Sequence, residues 1–461
     1  MKIRFTTLGC KLNFAESSAL GKELLALGHQ RASQNEVPDV CVVNTCSVTD
    51  TADHKDRQAI NQLRKKYPNA IIIVTGCYAQ LQPEQIAQIE GVDYVLGQNE
   101  KYDIPALLER LESDAAKAAI GRSQGELLAI GERREAKGER ICVGAIREVE
   151  EFHGAYSKDD RTRCFLKVQD GCNYFCTYCT IPYARGKSRN PHISEVVKDA
   201  QNAISQGAKE IILTGVNIGD FGRSTGESFL DLLKALDDLG DEAMKREARG
   251  ERREAKGERR EARGMDYRIR ISSCEPNLLT DEIIDFVAQS KHFAPHFHIP
   301  LQSGSNEILK IMKRRYTREL FEERVNHIKQ VMPHAFIGVD CMVGVRGETE
   351  EYFNDYVEFI KRLDVSQLHV FTYSERANTR MLEMDLYVVP KTERQRRSKI
   401  LRQISEEKTR LFYEKHANRT AVVLWESKRE GEQMAGFTDN YIKVYCPYDK
   451  AKVNTFEVIR R

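Results

Sequence analysis

The chain has 461 residues, 41% of them hydrophobic and 30% charged, with a formal net charge of +2. That length holds roughly two to four domains with buried cores, and the composition excludes a disordered chain. No stretch approaches the ~18–20 apolar residues that span a bilayer, and the opening MKIRFTTLGC has neither a long apolar run nor a small-residue cleavage site. A cytoplasmic address with no membrane partner is the expectation.

Residues 1–115 alternate apolar runs with amphipathic stretches. KIRFTTLG, DVCVVNTC, AIIIVTGC and VDYVLG read as strands, and 13–28, 51–66 and 83–90 have helical spacing, with Asp50 or Thr51 and Pro83 as start signals. Repeated strand–helix units predict a parallel sheet covered by helices. In such open sheets ligands gather beyond the carboxyl ends of the strands. Cys46 and Cys77 end two of these strands, and Cys10 lies just past the first. Three unrelated structural cysteines are the plainer reading, but the shared position argues against it.

Residues 160–380 repeat the pattern six times, through RCFLKVQ, EIILTGVNI, YRIRISS, HFHIPLQ, FIGVDCMV and LHVFTYS, with helices at 193–206, 280–290, 317–331 and 349–362 among those between. Six units predict a partial barrel with its chemistry at the carboxyl ends of the strands. From Asn418 the pattern changes to TAVVLWE, MAGFTDNYIKVYC and NTFEVIR, a small all-β barrel of the size that binds nucleic acid. Residues 390–461 carry 17 Lys/Arg against 10 Asp/Glu, which points to an anionic partner or to a solvated helix face over 391–415. The motif GERREA occurs at 131–136, 250–255 and 257–262. Its only apolar residue is alanine, so it reads as surface insertion rather than as a solenoid repeat.

The fold class is therefore α/β. A parallel-sheet domain (1–120) is followed by a linker with a charged insertion (121–158). Next comes a partial (β/α)6 barrel (159–390) interrupted by charged sequence at 245–264, and then a basic helix and small barrel (391–461).

The twelve cysteines sit in a reducing setting that favours metal or redox chemistry over disulfides. GCNYFCTYCTIPYARGKSRN (171–190) places Cys172, Cys176 and Cys179 at C-x3-C-x2-C, with Tyr178 before the last and no fourth cysteine nearby. Zinc would want a fourth Cys or His at finger-like spacing, and His192, the nearest downstream, reads as ordinary surface. A cubane cluster on three cysteines keeps one iron open, the mark of a catalytic metal. S-adenosylmethionine can fill such a site with its amine and carboxylate, and its reductive cleavage gives an adenosyl radical.

With TLGCKLN, VVNTCSVT, VTGCYAQ, ILTGVNIG, RIRISSCEP, HIPLQSGSNEILKIMKRRYT and GFTDNYIKVY added to that loop, nearly the whole chain resembles the radical S-adenosylmethionine methylthiotransferases that modify tRNA. The resemblance implies two 4Fe–4S clusters: one on Cys172, Cys176 and Cys179 that cleaves S-adenosylmethionine, and an auxiliary one on Cys10, Cys46 and Cys77 that carries the sulfur to be transferred. It implies that the C-terminal barrel is a TRAM-type RNA-binding domain. It further implies that one S-adenosylmethionine methylates the sulfur while the radical from a second removes hydrogen from an unreactive aromatic carbon, a C–H beyond the reach of ordinary side-chain bases.

Around the cofactor the likeness points to Tyr178, Thr214, Gly215, Ser273, Glu275 and Gln302. Arg185 and Lys187 are candidate phosphate or cofactor contacts. A turn glycine, a helix cap or a surface polar residue is the plainer alternative for each taken singly.

GCKLN, IPYARGKSRN and LHVFTYSERANT look most like the branch acting on N6-threonylcarbamoyladenosine at C2, position 37, in the tRNA anticodon stem-loop. Branches acting on isopentenylated adenosine or on a ribosomal-protein aspartate are the alternatives. An electron donor and a sulfur source, both unidentified, would be needed. A two-cluster electron carrier with an RNA-binding appendix is the reading from another class, but carriers usually saturate their clusters with four cysteines. A zinc-binding RNA module is the third.

Overall fold

The computed structural model describes residues 1–33, 35–122, 140–157, 162–239 and 267–460. The three GERREA copies and the 245–264 insertion lie outside the described residues. Two compact units are present: Met1–Glu150 with Thr180–Lys187, and Glu151–Cys179 with Ser188–Arg461.

The first unit is built on a six-stranded parallel sheet. Its strands are β1 (Lys2–Thr7), β2 (Gln30–Arg31), β3 (Val40–Thr45), β4 (Ile71–Gly76), β5 (Tyr94–Leu96) and β6 (Ile141–Cys142), in the order β2-β1-β3-β4-β5-β6. The run VCVVNT can be apolar throughout because both faces of β3 are covered. Cys41 and Val43 pack with Ile60 and Ile72, while Val40 and Val42 pack with Leu20 and Leu108. Helix Asp50–Lys66 starts where the side chain of Thr49 accepts from the Ala52 N–H at 3.2 Å, a cap worth about 1 kcal/mol. Asp50 and Asp53 lie in its first turn and Arg64–Lys66 in its last, which suits the helix dipole. Thr7 pairs with Asn44 and Asn44 with Thr75, so the carboxyl ends of β1, β3 and β4 share one edge.

The second unit holds six parallel strands: β8 (Arg163–Lys167), β9 (Glu210–Thr214), β10 (Arg268–Ile271), β11 (His296–Gln302), β12 (Phe336–Val343) and β13 (Gln367–Thr372). They form two groups, β10-β9-β8 and β11-β12-β13, with a short β7 (Ala155–Tyr156) antiparallel to β8. Isolated parallel bridges, Ile269 to Phe293 and Ser273 to His298, link the groups. Alternate residues (Leu166, Leu213, Ile271, Ile299, Val339, Leu368) face the helices in one continuous core. The intervening residues therefore face the barrel interior.

Four antiparallel strands follow the long helix Lys391–Lys415: β14 (Thr420–Glu430), β15 (Gln433–Thr438), β16 (Lys443–Pro447) and β17 (Phe456–Arg460), ordered β16-β15-β14-β17. The stretch MAGFTDNYIKVYC, expected as one strand, is two. It turns at Thr438–Tyr441, where Tyr441 adopts φ 63° and the Thr438 hydroxyl accepts from the Ile442 N–H at 2.8 Å. That turn closes the amino end of the barrel. Arg270 donates to the carbonyls of Asp439 and Thr438 at 2.8 and 2.7 Å, and Arg268 to those of Val422 and Phe437 at 3.2 Å each. Buried Glu210 pairs with both arginines. Only the carboxyl end of the barrel is left for chemistry.

Candidate functional site

In the first unit Cys10 caps helix Lys11–Ala26, Cys46 follows β3, and Cys77 opens the short helix Cys77–Leu81 after β4. Gly9, at φ +92°, makes room for them: a Cβ there would sit 2.8 Å from the Cys46 sulfur. Burial first, and then the neighbouring Cys77 and Cys10, push the Cys46 thiol up to about 12. Burial also raises Cys77, against the positive charge of Arg185 and Lys101. Cys41 stands apart, packed in the hydrophobic core. Three clustered thiols beside a glycine cradle and buried cations fit an iron–sulfur cluster, because a bound metal deprotonates such thiols and the cations balance the resulting charge.

Those cations belong to one buried network. Glu16 accepts from Lys101 Nζ at 2.6 Å and from Arg185 Nη1 at 3.1 Å, and Arg185 Nη2 also donates to Asn13 Oδ1 at 2.6 Å. Asn13 in turn donates to the carbonyls of Leu8 and Thr45, bracing the Cys10 and Cys46 loops. Arg185, expected as a phosphate or cofactor contact, is held by Glu16 and Asn13, and its charge acts on Cys77. Lys187 is exposed.

In the second unit the loop after β8 carries Cys172, Cys176 and Cys179, with Phe175 in left-handed backbone (φ 50°). Thr177 pins the loop, its N–H donating to the Met312 carbonyl at 3.2 Å and its hydroxyl to that of Ile311 at 2.9 Å. Arg314 Nη1 donates to the Cys176 sulfur at 3.1 Å and approaches the Tyr178 hydroxyl at 3.4 Å, while its other nitrogen pairs with Glu275. Burial pushes Cys172 up to about 12 and raises Cys176, where Arg314 opposes it.

The remaining sequence candidates fall at strand ends. Thr214 ends β9 with its hydroxyl donating back to the Ile212 carbonyl at 3.0 Å. A Cβ on Gly215 would sit 2.9 Å from the Gln169 carbonyl oxygen, so its small size is demanded by the chain's own packing. Ser273 Oγ lies 2.7 Å from His298 Nδ1. Gln302 ends β11 at φ 64° with its buried amide oxygen unpartnered. Glu275 and Tyr178 share Arg314. Sequence reasoning missed Arg314, and it missed Asn217 just beyond β9, whose buried amide has no close partner beyond the nearby Tyr174 hydroxyl. Buried amides short of partners are costly, and two of them at the carboxyl ends of strands fit a polar ligand such as S-adenosylmethionine.

On the C-terminal sheet the basic residues pair locally: Lys443 with Glu430 at 3.1 Å, Lys452 with Glu457 at 2.9 Å and Arg419 with Asp439 at 2.8 Å. Partly exposed pairs of this kind are weak and can yield to phosphates. Tyr445 is exposed beside Lys443.

Residues 2–97 match a model described as uncharacterized protein family UPF0004, and residues 166–360 match the radical SAM superfamily. The threonylcarbamoyladenosine tRNA methylthiotransferase MtaB of Bacillus subtilis (strain 168) is 35% identical over 447 residues, 96% of this chain and 89% of that protein. The tRNA-2-methylthio-N(6)-dimethylallyladenosine synthase of Clostridium tetani (strain Massachusetts / E88) is 30% identical over 443 residues, 94% of this chain and 87% of that protein. Among solved structures, the radical S-adenosylmethionine methyltransferase TsrM from Kitasatospora setae, with cobalamin and a 4Fe–4S cluster bound, superposes with a TM-score of 0.50. It has 15% identity and covers 81% of this chain and 75% of that one. That likeness is one of fold.

Proposed function

This chain belongs to the radical S-adenosylmethionine tRNA methylthiotransferases, and we propose that it converts N6-threonylcarbamoyladenosine in the tRNA anticodon stem-loop to its 2-methylthio derivative. The observation that carries the reading is the pair of three-cysteine sets, Cys10/Cys46/Cys77 and Cys172/Cys176/Cys179. Each lies at the carboxyl end of a parallel sheet in its own unit, and each would hold one 4Fe–4S cluster. When bound, the clusters and S-adenosylmethionine supply the radical and the sulfur.

The chain's own residues hold and orient these groups. Arg314 neutralises the Cys176 thiolate and fixes Glu275, while Glu275, Asn217 and Gln302 offer polar atoms to S-adenosylmethionine. The Glu16–Arg185–Lys101 network sets the charge beside Cys77. The C-terminal sheet grips phosphates, and its turn shuts the amino end of the barrel against water. An electron donor and a sulfur source complete the reaction. No described helix is long and apolar enough to cross a membrane, and a cytoplasmic setting suits a tRNA substrate.

The threonylcarbamoyl base is favoured over the dimethylallyl one by the higher identity to the relative named for it. Mass spectrometry of tRNA nucleosides from a host with and without the gene tests the reading. The 2-methylthio-threonylcarbamoyl nucleoside should vanish without the gene. Loss of the dimethylallyl product instead would overturn the substrate.

A further inference from the structure

The inner face of β11–β13 carries a polar chain, His298–Asp340–His369, that neither cysteine set uses and that touches the cofactor candidates only through Ser273. Asp340 and His369 are direct partners in the β12–β13 ladder, and Asp340 pairs with Pro300 in the β11–β12 ladder, which places His298 on the same face one step away. His298 Nε2 lies 2.8 Å from Asp340 Oδ1, His369 Nδ1 lies 3.3 Å from the same oxygen, and the two imidazoles are 3.1 Å apart. Ser273 Oγ, at 2.7 Å, fixes the far side of the His298 ring. The alternate residues Val339, Leu368 and Val370 face the helices, so this chain faces the barrel interior, where it has a use only if something enters.

Two features indicate what enters. The His369 side chain is 40% exposed, and Phe371, two residues further along the same face, is 43% exposed. An edge strand that shows a polar ring and an aromatic ring to a lumen offers a hydrogen bond and a stacking surface to one planar base. The second feature is charge. Arg268 and Arg270 are committed to Glu210, Arg163 to Glu426, Lys167 to Asp170 and Arg314 to Glu275. At Asp340, by contrast, two imidazoles share one carboxylate, and His369 is the more exposed of the two, at 40% against 16%. The cluster reaches the cofactor end of the barrel through Ser273, two residues before Glu275, which Arg314 ties to Cys176.

We propose that His369, held by Asp340, His298 and Ser273, reads the carboxylate of the substituent on the target base while Phe371 stacks on the base itself. This rests on the substrate reading above. A threonylcarbamoyl group ends in a carboxylate, whereas a dimethylallyl group is apolar and gives His369 nothing to bind. Asp340, His298 and Ser273 are positioning residues: Asp340 orients the His369 ring, and the ring nitrogen of His369 that does not face Asp340 meets the substrate. The three donor atoms lie within 4.8 Å of one another, close enough to close on a cation. As hydrogen bonds to one carboxylate they are already satisfied, and no cation is required.

The test uses the reconstituted holoenzyme and two anticodon stem-loop RNAs, one with threonylcarbamoyladenosine and one with its carboxylate converted to the carboxamide. Wild-type enzyme should prefer the acid by about tenfold to a hundredfold in kcat/KM, the range of one charge-assisted hydrogen bond, with the difference mainly in KM. His369→Leu should bring the ratio close to one, and His369→Lys, which supplies a cationic donor, should restore the preference. Equal loss on both RNAs in His369→Leu would mean a merely structural role and overturn the assignment, as would a preference that survives in that variant. A wild-type preference abolished by a divalent-metal chelator would replace the hydrogen-bond reading with a metal site. Wild-type enzyme that methylthiolates only a dimethylallyl RNA would overturn the substrate reading, and this assignment with it.

Discussion

Arg314 lies 3.1 Å from the sulfur of Cys176 and at the same time pairs with Glu275. One buried guanidinium thereby joins the cysteine loop to the end of the third barrel strand. Arg314→Met should cost about 3–5 kcal/mol, because it strands the Glu275 carboxylate in a buried site. Adding Glu275→Gln should recover part of that loss. Thermal unfolding of the single and double variants measures the coupling, and strictly additive losses would show that the pair does not act as one.

Glu210 holds the floor of the barrel. Burial disfavours its charged form, but Arg268 and Arg270 outweigh burial and bring its pKa to about 2. Glu210→Gln leaves two buried arginines facing the turn after β15 with no counter-charge, at a cost of about 3–5 kcal/mol. The expected outcome is faster proteolytic release of the C-terminal sheet. Unchanged proteolysis would mean that the carbonyl contacts suffice.

His416 should make the protein acid-sensitive. It is buried against Phe412 with both ring nitrogens unpartnered, and burial, then Arg419, Lys329 and Lys415, lower its pKa from 6.5 to about 4. The folded state therefore binds this proton less well than the unfolded chain. Stability is unaffected above about pH 6.5 and falls as the pH drops from there toward 4. The fall in unfolding temperature between pH 7.5 and 5.5 should be smaller in His416→Phe than in wild type. An identical fall in both would remove His416 from the account.

The strands of both parallel sheets were legible because each is an apolar run of the right length bounded by turn residues, as in DVCVVNTC and FIGVDCMV. The two-residue strands Gln30–Arg31 and Ile141–Cys142 are too short to leave a pattern. The turn at Tyr441 was hidden because Asn440 and Thr438, both buried, hold it from within a run that reads as continuous strand. The positions of Cys46 and Cys77 just past their strands could be read from where the apolar runs end. The fate of Arg185 could not, since its partner Glu16 is 169 residues away. The chain His298–Asp340–His369 emerges only once three strands are in register, since each residue alone reads as an ordinary polar position on a strand.

We propose that the two cysteine sets divide the labour, and their roles separate in one paired assay of anaerobically reconstituted triple variants: 5′-deoxyadenosine against methylthiolated nucleoside. Replacing Cys10, Cys46 and Cys77 by alanine should leave cleavage of S-adenosylmethionine and abolish the methylthio product. Replacing Cys172, Cys176 and Cys179 should abolish both. Full methylthiolation by the first variant would contradict the account.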